Sequence, residues 1–204
     1  PPPPPPPPPT FPPRRSSDLF ARAFTERFPR IPVEEEGRLN DPKLRENFIE
    51  QIFTLKDWRD TLKDRKSMGR IVAFHTRQKM LILSHSQKHY REMGKLVAAG
   101  KQLTPTELYD QYEALLMDAL NLKTTFKKNT NVLMHILGHF KQQLSADEKQ
   151  EMLELIDNYH AERIPLIVPV TLINHYVRKY DKPYLAQQTY LNPHPLELKL
   201  RNHA

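Results

Sequence analysis

Helix-start signals recur along the sequence and constrain the fold more than any other feature. Asp41 stands before Pro42, so its carboxylate can cap a helix whose first residue needs no backbone N–H. Thr104 and Glu107 form a capping box, in which each side chain accepts a hydrogen bond from the other residue's backbone N–H, and a second box begins at Ser145. The predicted helices cover about 41–62, 104–120 and 145–160.

The rest of the sequence adds helices and no sheet. Strand patterns are nearly absent, and the chain has only five glycines to make tight turns. We expect an all-α fold, a compact bundle of about five or six helices from about residue 65 onward. The proline-rich residues 1–17 cannot pack a core, and we expect them to be extended. Further predicted elements are helices over 18–28, 67–93, 127–144 and 165–180, and an extended stretch over 31–39.

Positive charge is concentrated in two blocks. The chain carries a formal net charge of +7. Residues 63–101 hold ten basic and two acidic residues, and residues 123–141 hold four basic residues and no acidic one. Such a polarised distribution indicates an anionic partner, most commonly nucleic acid, whose phosphates exchange counterions for lysine and arginine. The alternative is a solvated basic face without a partner.

Two absences in the sequence exclude whole classes of function. There is no cysteine, which removes disulfides, thiolate nucleophiles and cysteine-bound zinc or iron–sulfur clusters. No stretch approaches the ~18 consecutive apolar residues of a membrane span, and no signal sequence opens the chain. We therefore expect a soluble, cytoplasmic protein without membrane contact.

The segment KKNTNVLMHILGHFKQQL, residues 127–144, predicts an amphipathic helix. Its apolar residues share one side of a helical wheel, whereas Asn131, His135 and Gly138 gather on the other, flanked by lysines. Thr130 is expected to be the N-cap. Two interpretations of the polar face stay open: contact with an anionic ligand, or hydrogen bonds to a neighbouring helix inside the bundle.

Familiar catalytic and metal-binding patterns do not fit the chain. His135 and His139 are four residues apart, as in a zinc protease helix, but the catalytic glutamate and a third ligand are missing. There is no GxSxG nucleophile turn and no glycine-rich phosphate loop. We therefore predict no catalytic residue, no metal and no cofactor for this chain.

The basic stretch over 67–93 is predicted to form one helix that ends near Gly94. On a helical wheel, Arg77, Lys88 and Arg91 fall in one narrow arc, an arrangement that suits phosphate groups. Lys79 lies among apolar neighbours, where its stem can snorkel or its ammonium can contact a ligand. Three tyrosines could stack on unpaired bases or simply pack in the core: Tyr90, Tyr176 and Tyr190.

Three blocks of the sequence resemble the YbgA-like domain family. They are HTRQKMLILSHSQKHYREMGKLVA at 75–98, TNVLMHILGHFK at 130–141, and INHYVRKY followed by QQTYL in the C-terminal part, within a resemblance over about 65–201. The preceding stretch, DLFARAFTERFPRIPVEEEGRLNDPKLRENFIEQIF, resembles the trailing end of a TudS-like thiouracil desulfidase domain. In that family the two domains are often fused.

The resemblance implies RNA handling rather than catalysis. The desulfidase removes sulfur from thiolated uracil with an iron–sulfur cluster held by cysteines, and the YbgA-like part is implicated in presenting tRNA. Because this chain has no cysteine, we do not expect it to hold that cluster. Glu34, Glu35, Gly37 and Arg38 match the desulfidase tail. The expected segments are 1–17, proline-rich; 18–64, a desulfidase-like remnant with a connecting helix; and 65–204, the YbgA-like domain.

The candidate RNA-binding residues combine positions that match the family with basic residues beside them. They are His75, Arg77, Lys79, Ser86, Lys88, Tyr90, Arg91, Lys127, Lys128, Thr130, Asn131, His135, Gly138, Lys141, His175, Tyr176, Gln188 and Tyr190.

We therefore expect a non-catalytic, tRNA-binding helical module that works with a thiouridine desulfidase domain in cis or in trans. Two alternatives remain open. One is a small enzyme that acts on a nucleotide or base through a cluster of His75, Asn131, His135 and His175. The other is a scaffold whose helix over 42–62 docks onto a separate catalytic domain.

Overall fold

The three capped helices form where the sequence predicts them. In the computed structural model, which describes residues 16–63, 66–195, 198, 200 and 201, Asp41 Oδ1 accepts hydrogen bonds from the backbone N–H groups of Lys43 at 2.8 Å and Leu44 at 3.2 Å. The capping boxes at Thr104 and Ser145 are both closed. Local side-chain capping therefore determines where these helices begin.

The described part contains α-helices, short 3₁₀ turns and no strand, which confirms the all-α prediction. Seven of the α-helices follow residue 65, more than the five or six predicted, and the last of them is only four residues long. The helices are α1 Ser16–Arg27, α2 Pro42–Leu62, α3 Met68–His85, α4 Gln87–Ala98, α5 Pro105–Leu120, α6 Phe126–Leu137, α7 Ala146–His160, α8 Ile167–Lys179 and α9 Pro183–Ala186. The 3₁₀ turns are Glu36–Asn40, Gly100–Gln102, Gly138–Phe140 and Thr189–Leu191.

The chain divides into two units, residues 1–33 and 34–204. In the first unit, the rings of Phe20 and Phe24 lie 6.2 Å apart along α1. The second unit contains the other helices. Of the proline-rich segment predicted over 1–17, residues 1–15 lie outside the described residues, and the last two begin α1. The domain boundary predicted near residue 64 stays a prediction.

Helix α3 lies between two hydrophobic clusters of the larger unit. One cluster includes Trp58 of α2, which packs against Phe74 of α3 at 5.0 Å and Tyr112 of α5 at 5.2 Å between ring centroids. The other is built mainly from α6, α7 and α8. Side chains of α3 enter both: Ile71, Phe74 and Ile82 in the first, Met80, Leu81 and Leu83 in the second.

The single basic helix predicted over 67–93 is wrong. Ser86 adopts an extended backbone with φ −158° and ψ 114°, so α3 ends at His85 and α4 begins at Gln87. The Ser86 hydroxyl accepts a hydrogen bond from the His89 backbone N–H at 3.3 Å and so caps α4. The expected phosphate-binding arc is therefore split, with Arg77 on one helix and Lys88 on the next.

Two boundaries of the predicted helix over 127–144 are also corrected. Thr125, not Thr130, is the N-cap, because its hydroxyl accepts a hydrogen bond from the Lys128 backbone N–H at 3.2 Å. Thr130 lies inside α6 and donates to the Phe126 carbonyl oxygen at 2.8 Å. The helix ends at Leu137 and continues as a 3₁₀ turn.

Candidate nucleic-acid interface

Basic and aromatic side chains from three separate elements meet on one surface of the larger unit. The Lys79 Nζ atom of α3 lies 4.8 Å from the ring centroid of Tyr184 in α9. The His139 ring is 5.2 Å from the Tyr184 ring and 5.8 Å from the His135 ring. Lys182 extends over the neighbouring Phe140 ring, with its Nζ 5.9 Å from the centroid. We call Lys79, His135, His139, Lys182 and Tyr184 the cationic cluster.

The electrostatics of the cationic cluster favour an anion. Among the described residues, neither Lys79 nor Lys182 forms an ion pair with a carboxylate. Burial lowers the pKa of His139 below its ordinary value of 6.5, and the charges of His135, Lys79 and Lys182 lower it further. The surface thus holds unpaired ammonium groups around a histidine that is mostly neutral at pH 7.

Local structure explains why these side chains converge. His135 and His139 are four residues apart on α6 and the 3₁₀ turn that follows it, so both project from the same side. Pro183 is the first residue of α9, where its fixed φ favours the start of a helix, and Tyr184 is the second residue of this short helix. The Lys79 ammonium lies over the aromatic face of Tyr184, which is a favourable cation–π contact.

An exposed polar stripe on α6 leads to the cationic cluster. Lys127, Asn131 and His135 are all exposed and follow one another at four-residue spacing. Lys128 is not part of this stripe, because its Nζ donates to the Lys123 carbonyl oxygen at 2.6 Å and burial lowers its pKa. Thr130 is half-buried, and its hydroxyl lies 3.3 Å from Nδ1 of His160.

Gly138 leaves open space at the end of this stripe. Its φ of −57° is ordinary for any residue, so no backbone requirement demands glycine there. A β-carbon at Gly138 would meet only Cε of Lys141, at 4.0 Å. Lys141 itself is exposed. A flat group could therefore approach the backbone closely at this point.

Arg77 lies against α2 and is neutralised. Its Nε and Nη2 atoms donate to the two carboxylate oxygens of Asp57 at 2.9 Å and 2.7 Å. Because this bidentate ion pair already satisfies the guanidinium, Arg77 adds little attraction for a further anion. Lys88 is exposed and lies 3.9 Å from a carboxylate oxygen of Glu92, and Arg91 is exposed on α4.

Several residues predicted to contact RNA are buried and serve packing. Tyr190 is completely buried, and its hydroxyl donates to Asn129 Oδ1 at 3.2 Å. Gln188 is buried and its Nε2 donates to the Thr76 carbonyl oxygen at 2.8 Å. Tyr176 is 3% exposed, Ser86 caps α4, and Tyr90 is half-buried. In this conformation the buried rings have no face on which a base could stack.

The histidines proposed as a catalytic cluster have separate neighbours. His75 Nδ1 lies 3.1 Å from the Tyr112 hydroxyl, and burial lowers the pKa of His75 to about 4, with a smaller effect from the charge of Lys79. His135 lies against His139, and the exposed His175 lies against Tyr176 at 5.5 Å between ring centroids. No contact among the described residues brings the three histidines together.

Three residues of the cationic cluster are not among the RNA-binding residues predicted from the sequence. His139 enters the sequence argument only as a possible metal ligand, and Lys182 and Tyr184 do not enter it. The sequence feature that could have indicated Lys182 and Tyr184 is the string DKPYLA, in which they stand on either side of a proline that can start a helix. That string alone does not show which surface the short helix joins.

The described residues hold neither a metal-ligand cluster nor a membrane-spanning helix. Within the part of the chain that the structure describes, no three His, Cys, Asp or Glu side chains gather as a metal ion would require. None of the helices there is long and apolar enough to pass through a bilayer.

Comparisons with known proteins match the helical part of the chain. The model of a family described as "Protein of unknown function (DUF1722)" matches residues 79–195. A protein of Escherichia coli strain K12 named "Uncharacterized protein YbgA" is 30% identical over 165 residues, which is 80% of this chain and 98% of that protein. No solved structure matches. The resemblance of residues 18–64 to a desulfidase tail stays a prediction. The chain therefore belongs to the DUF1722 family and is YbgA-like, as three of its sequence blocks indicate.

Proposed function

We propose that the chain binds tRNA in the cytoplasm through the cationic cluster and presents it to a thiouridine desulfidase, without itself being catalytic. The observation that supports this proposal is the convergence of unpaired lysines, two histidines and a tyrosine ring at Lys79. Phosphates bind ammonium groups and release counterions, and a base can stack on an aromatic face. A surface with both chemistries suits a nucleic acid better than a small inorganic anion.

The exposed stripe on α6 extends this surface. Lys127 lies about 12 Å along the helix axis from His135, as eight residues at 1.5 Å rise imply. Asn131 between them can donate and accept hydrogen bonds at base edges or ribose hydroxyls. The stripe would give a single-stranded segment a path that starts at one cationic group and ends at the cluster.

The proposed desulfidase partner rests on the sequence resemblance of the stretch before the bundle. In that stretch, Glu34 and Arg38 form an i,i+4 ion pair at 3.0 Å. The chain has no cysteine for an iron–sulfur cluster, so the chemistry would come from another domain. The present chain would supply affinity for the RNA.

The proposal is tested by tRNA binding across a salt series. The double variant Lys79→Gln/Lys182→Gln should weaken binding by about 1–3 kcal/mol and reduce the slope of log K against log salt by about 2. The matched control is Lys101→Gln/Lys149→Gln, which removes the same charge from exposed positions outside the cluster. It should bind nearly as tightly as the wild type.

Two outcomes would contradict the proposal. One is the absence of tRNA binding by the wild type at low salt. The other is an equal loss in both double variants, because that result would indicate general charge attraction rather than a site. Association with a desulfidase is tested separately, by measuring whether the chain accelerates sulfur removal from thiolated tRNA by an intact cysteine-bearing desulfidase.

A further inference from the structure

A cavity of about 380 Å³ opens beside the N-terminal end of α6, at the opposite end of that helix from the cationic cluster. Side chains from α2, α6 and α7 line it together with Arg201. Among its lining residues, only Lys127 is a candidate RNA-binding residue from the sequence. The cavity is far larger than a single phosphate group and is of a size that encloses a small organic ligand.

The floor of the cavity contains a buried arginine held in a fixed position. Arg201 is 4% exposed. Its Nε donates to Glu46 Oε1 at 3.1 Å, its Nη2 to Glu50 Oε1 at 2.9 Å, and its Nη1 to the Tyr190 carbonyl oxygen at 2.6 Å. These three hydrogen bonds hold the Arg201 guanidinium in one position, so it forms a rigid polar part of the cavity lining.

Two lysines supply the positive charge that is available to a ligand at the cavity. Lys43 and Lys127 line it, whereas the Arg201 guanidinium is already paired with Glu46 and Glu50; Glu46 and Glu162 are the carboxyl groups of the lining. Burial and then the charge of Glu50 raise the pKa of Glu46 well above its usual range, while Arg201 opposes the shift. Lys43 and Lys127 are therefore the cations of the lining that have no carboxylate partner among the described residues, and Glu162 is the carboxyl group opposite them.

One wall of the cavity is aromatic. The rings of Phe126 and Tyr159 lie 5.0 Å apart at an interplanar angle of 43°. Lys43 Nζ lies 4.5 Å from the Phe126 centroid. The Tyr159 hydroxyl accepts a hydrogen bond from Asn129 Nδ2 at 3.1 Å, and the described residues offer no acceptor for its own proton. An apolar wall therefore ends in a hydroxyl group that can donate to a ligand.

We propose that this cavity binds one nucleotide, with the base against the partly exposed Phe126 ring and the phosphate between Lys43 and Lys127. The combination of an aromatic wall, a polar floor and cationic groups matches the three parts of a nucleotide, whereas a phosphate ion would use only the last. Lys127 belongs both to the cavity and to the exposed stripe of α6. The nucleotide is therefore one residue of the RNA strand that follows this stripe, a point that rests on the proposed function.

The first experiment measures binding of the four nucleoside monophosphates, the corresponding nucleosides and inorganic phosphate to the full chain by titration calorimetry. At least one monophosphate should bind saturably, about tenfold more tightly than its nucleoside and than phosphate. Lys43→Gln/Lys127→Gln should lower the affinity for that monophosphate by about tenfold, and Tyr159→Phe should lower it by a smaller factor. Lys101→Gln/Lys149→Gln, which removes the same charge from exposed positions outside both sites, should leave the affinity for the monophosphate unchanged. Each variant should have the same Tm as the wild type, which shows that it is folded.

The outcomes separate this proposal from the proposed function. If no monophosphate binds at millimolar concentration, or if inorganic phosphate binds as tightly, the nucleotide site is wrong even where tRNA binding persists. If monophosphates bind and tRNA does not, the cavity takes a free nucleotide and its assignment to an RNA strand is overturned. If Lys43→Gln/Lys127→Gln weakens both the monophosphate and a short oligonucleotide, the RNA strand enters the cavity as proposed.

Discussion

Arg201 Nη2 lies 2.9 Å from Glu50 Oε1 in a site where both residues are at least 96% removed from solvent. The contact joins α2 to the C-terminal segment. His85 lies at the same carboxylate, with Nε2 3.2 Å from Glu50 Oε2, and its Nδ1 donates to the Leu122 carbonyl oxygen at 2.7 Å. The hydrogen-bonding residues of this buried group come from distant parts of the chain, so the tertiary fold, not a local motif, creates it.

Removing the arginine should destabilise the whole larger unit. Arg201→Met leaves two buried carboxyl groups without their main partner, and we expect the free energy of unfolding to fall by about 3–5 kcal/mol. Urea denaturation followed by circular dichroism measures the change. The control Arg178→Met, at an exposed position, should change stability by no more than about 0.5 kcal/mol. Equal effects of the two substitutions would mean that the buried group is not a structural requirement.

Stability should fall in mild acid because of His75. Its folded-state pKa of about 4 lies below the ordinary value of 6.5, so the unfolded chain takes up a proton first as the pH falls. The contribution of neutral His75 to the free energy of unfolding is complete above pH ~6.5. It is lost as the pH falls from ~6.5 to ~4, by up to about 3 kcal/mol. Urea denaturation at pH 7 and pH 5 should show a smaller difference for His75→Gln than for the wild type.

The control for this titration is His175→Gln, which replaces an exposed histidine. It should keep the wild-type dependence of stability on pH. A wild-type dependence that survives in His75→Gln would assign the acid sensitivity to other groups.

Two glycine substitutions should have opposite effects on stability. A β-carbon at Gly100 would lie 2.8 Å from Met68 Sδ and 2.9 Å from Leu108 Cδ2, both near the ends of side chains that can shift, so Gly100→Ala should destabilise by about 1 kcal/mol. Nothing lies within 4 Å of a β-carbon at Gly69, so Gly69→Ala in α3 should stabilise by about 0.4–1 kcal/mol. Thermal unfolding of both variants tests the pair, and a higher Tm for Gly100→Ala would contradict the packing described around it.

Gly138→Ala should separate ligand approach from stability. Because the added methyl meets only Lys141 Cε at 4.0 Å, stability should change by no more than about 0.5 kcal/mol. If tRNA packs against this backbone, its affinity should nevertheless fall by up to about tenfold. Gly69→Ala serves as the control in the same binding assay. An unchanged affinity for Gly138→Ala would place the RNA elsewhere on the surface.

Binding of tRNA should strengthen as the solution becomes more acidic. The pKa of His139 lies below 6.5, so its imidazole gains a positive charge only as the pH falls through that lowered value. The tRNA affinity, measured at constant salt from pH 7.5 to 5.5, should depend more steeply on pH for the wild type than for His139→Gln. His160→Gln, an exposed histidine outside the cluster, should follow the wild type. Parallel curves for wild type and His139→Gln would exclude a role for this imidazole.

The parts of the fold that follow from short-range contacts could be predicted. Asp41, Thr104 and Ser145 cap their helices through residues two or three positions away, and the sequence shows both partners. The predictions that Thr130 is an N-cap and that Ser86 lies within one long helix are wrong for a related reason. Serine and threonine can cap a helix or lie within one, and only the surrounding packing decides which occurs.

The candidate site could be predicted only in part. Charge in the sequence pointed to the segments that contain Lys79 and Lys127, but not to the neutralisation of Arg77 by Asp57 twenty residues earlier. Helical periodicity cannot show that Tyr190 is buried while Tyr184 reaches the surface cluster. Both facts depend on how the C-terminal segment crosses the bundle, which is a long-range property.

Because α3 supplies side chains to both hydrophobic clusters, the larger unit has no seam along which it could be cut into two independently folding halves. A fragment that kept α3 would leave one of its flanks bare, with Met80, Leu81 and Leu83 or Ile71 and Phe74 facing water. A displacement of α3 would therefore disturb the packing of both hydrophobic clusters at once.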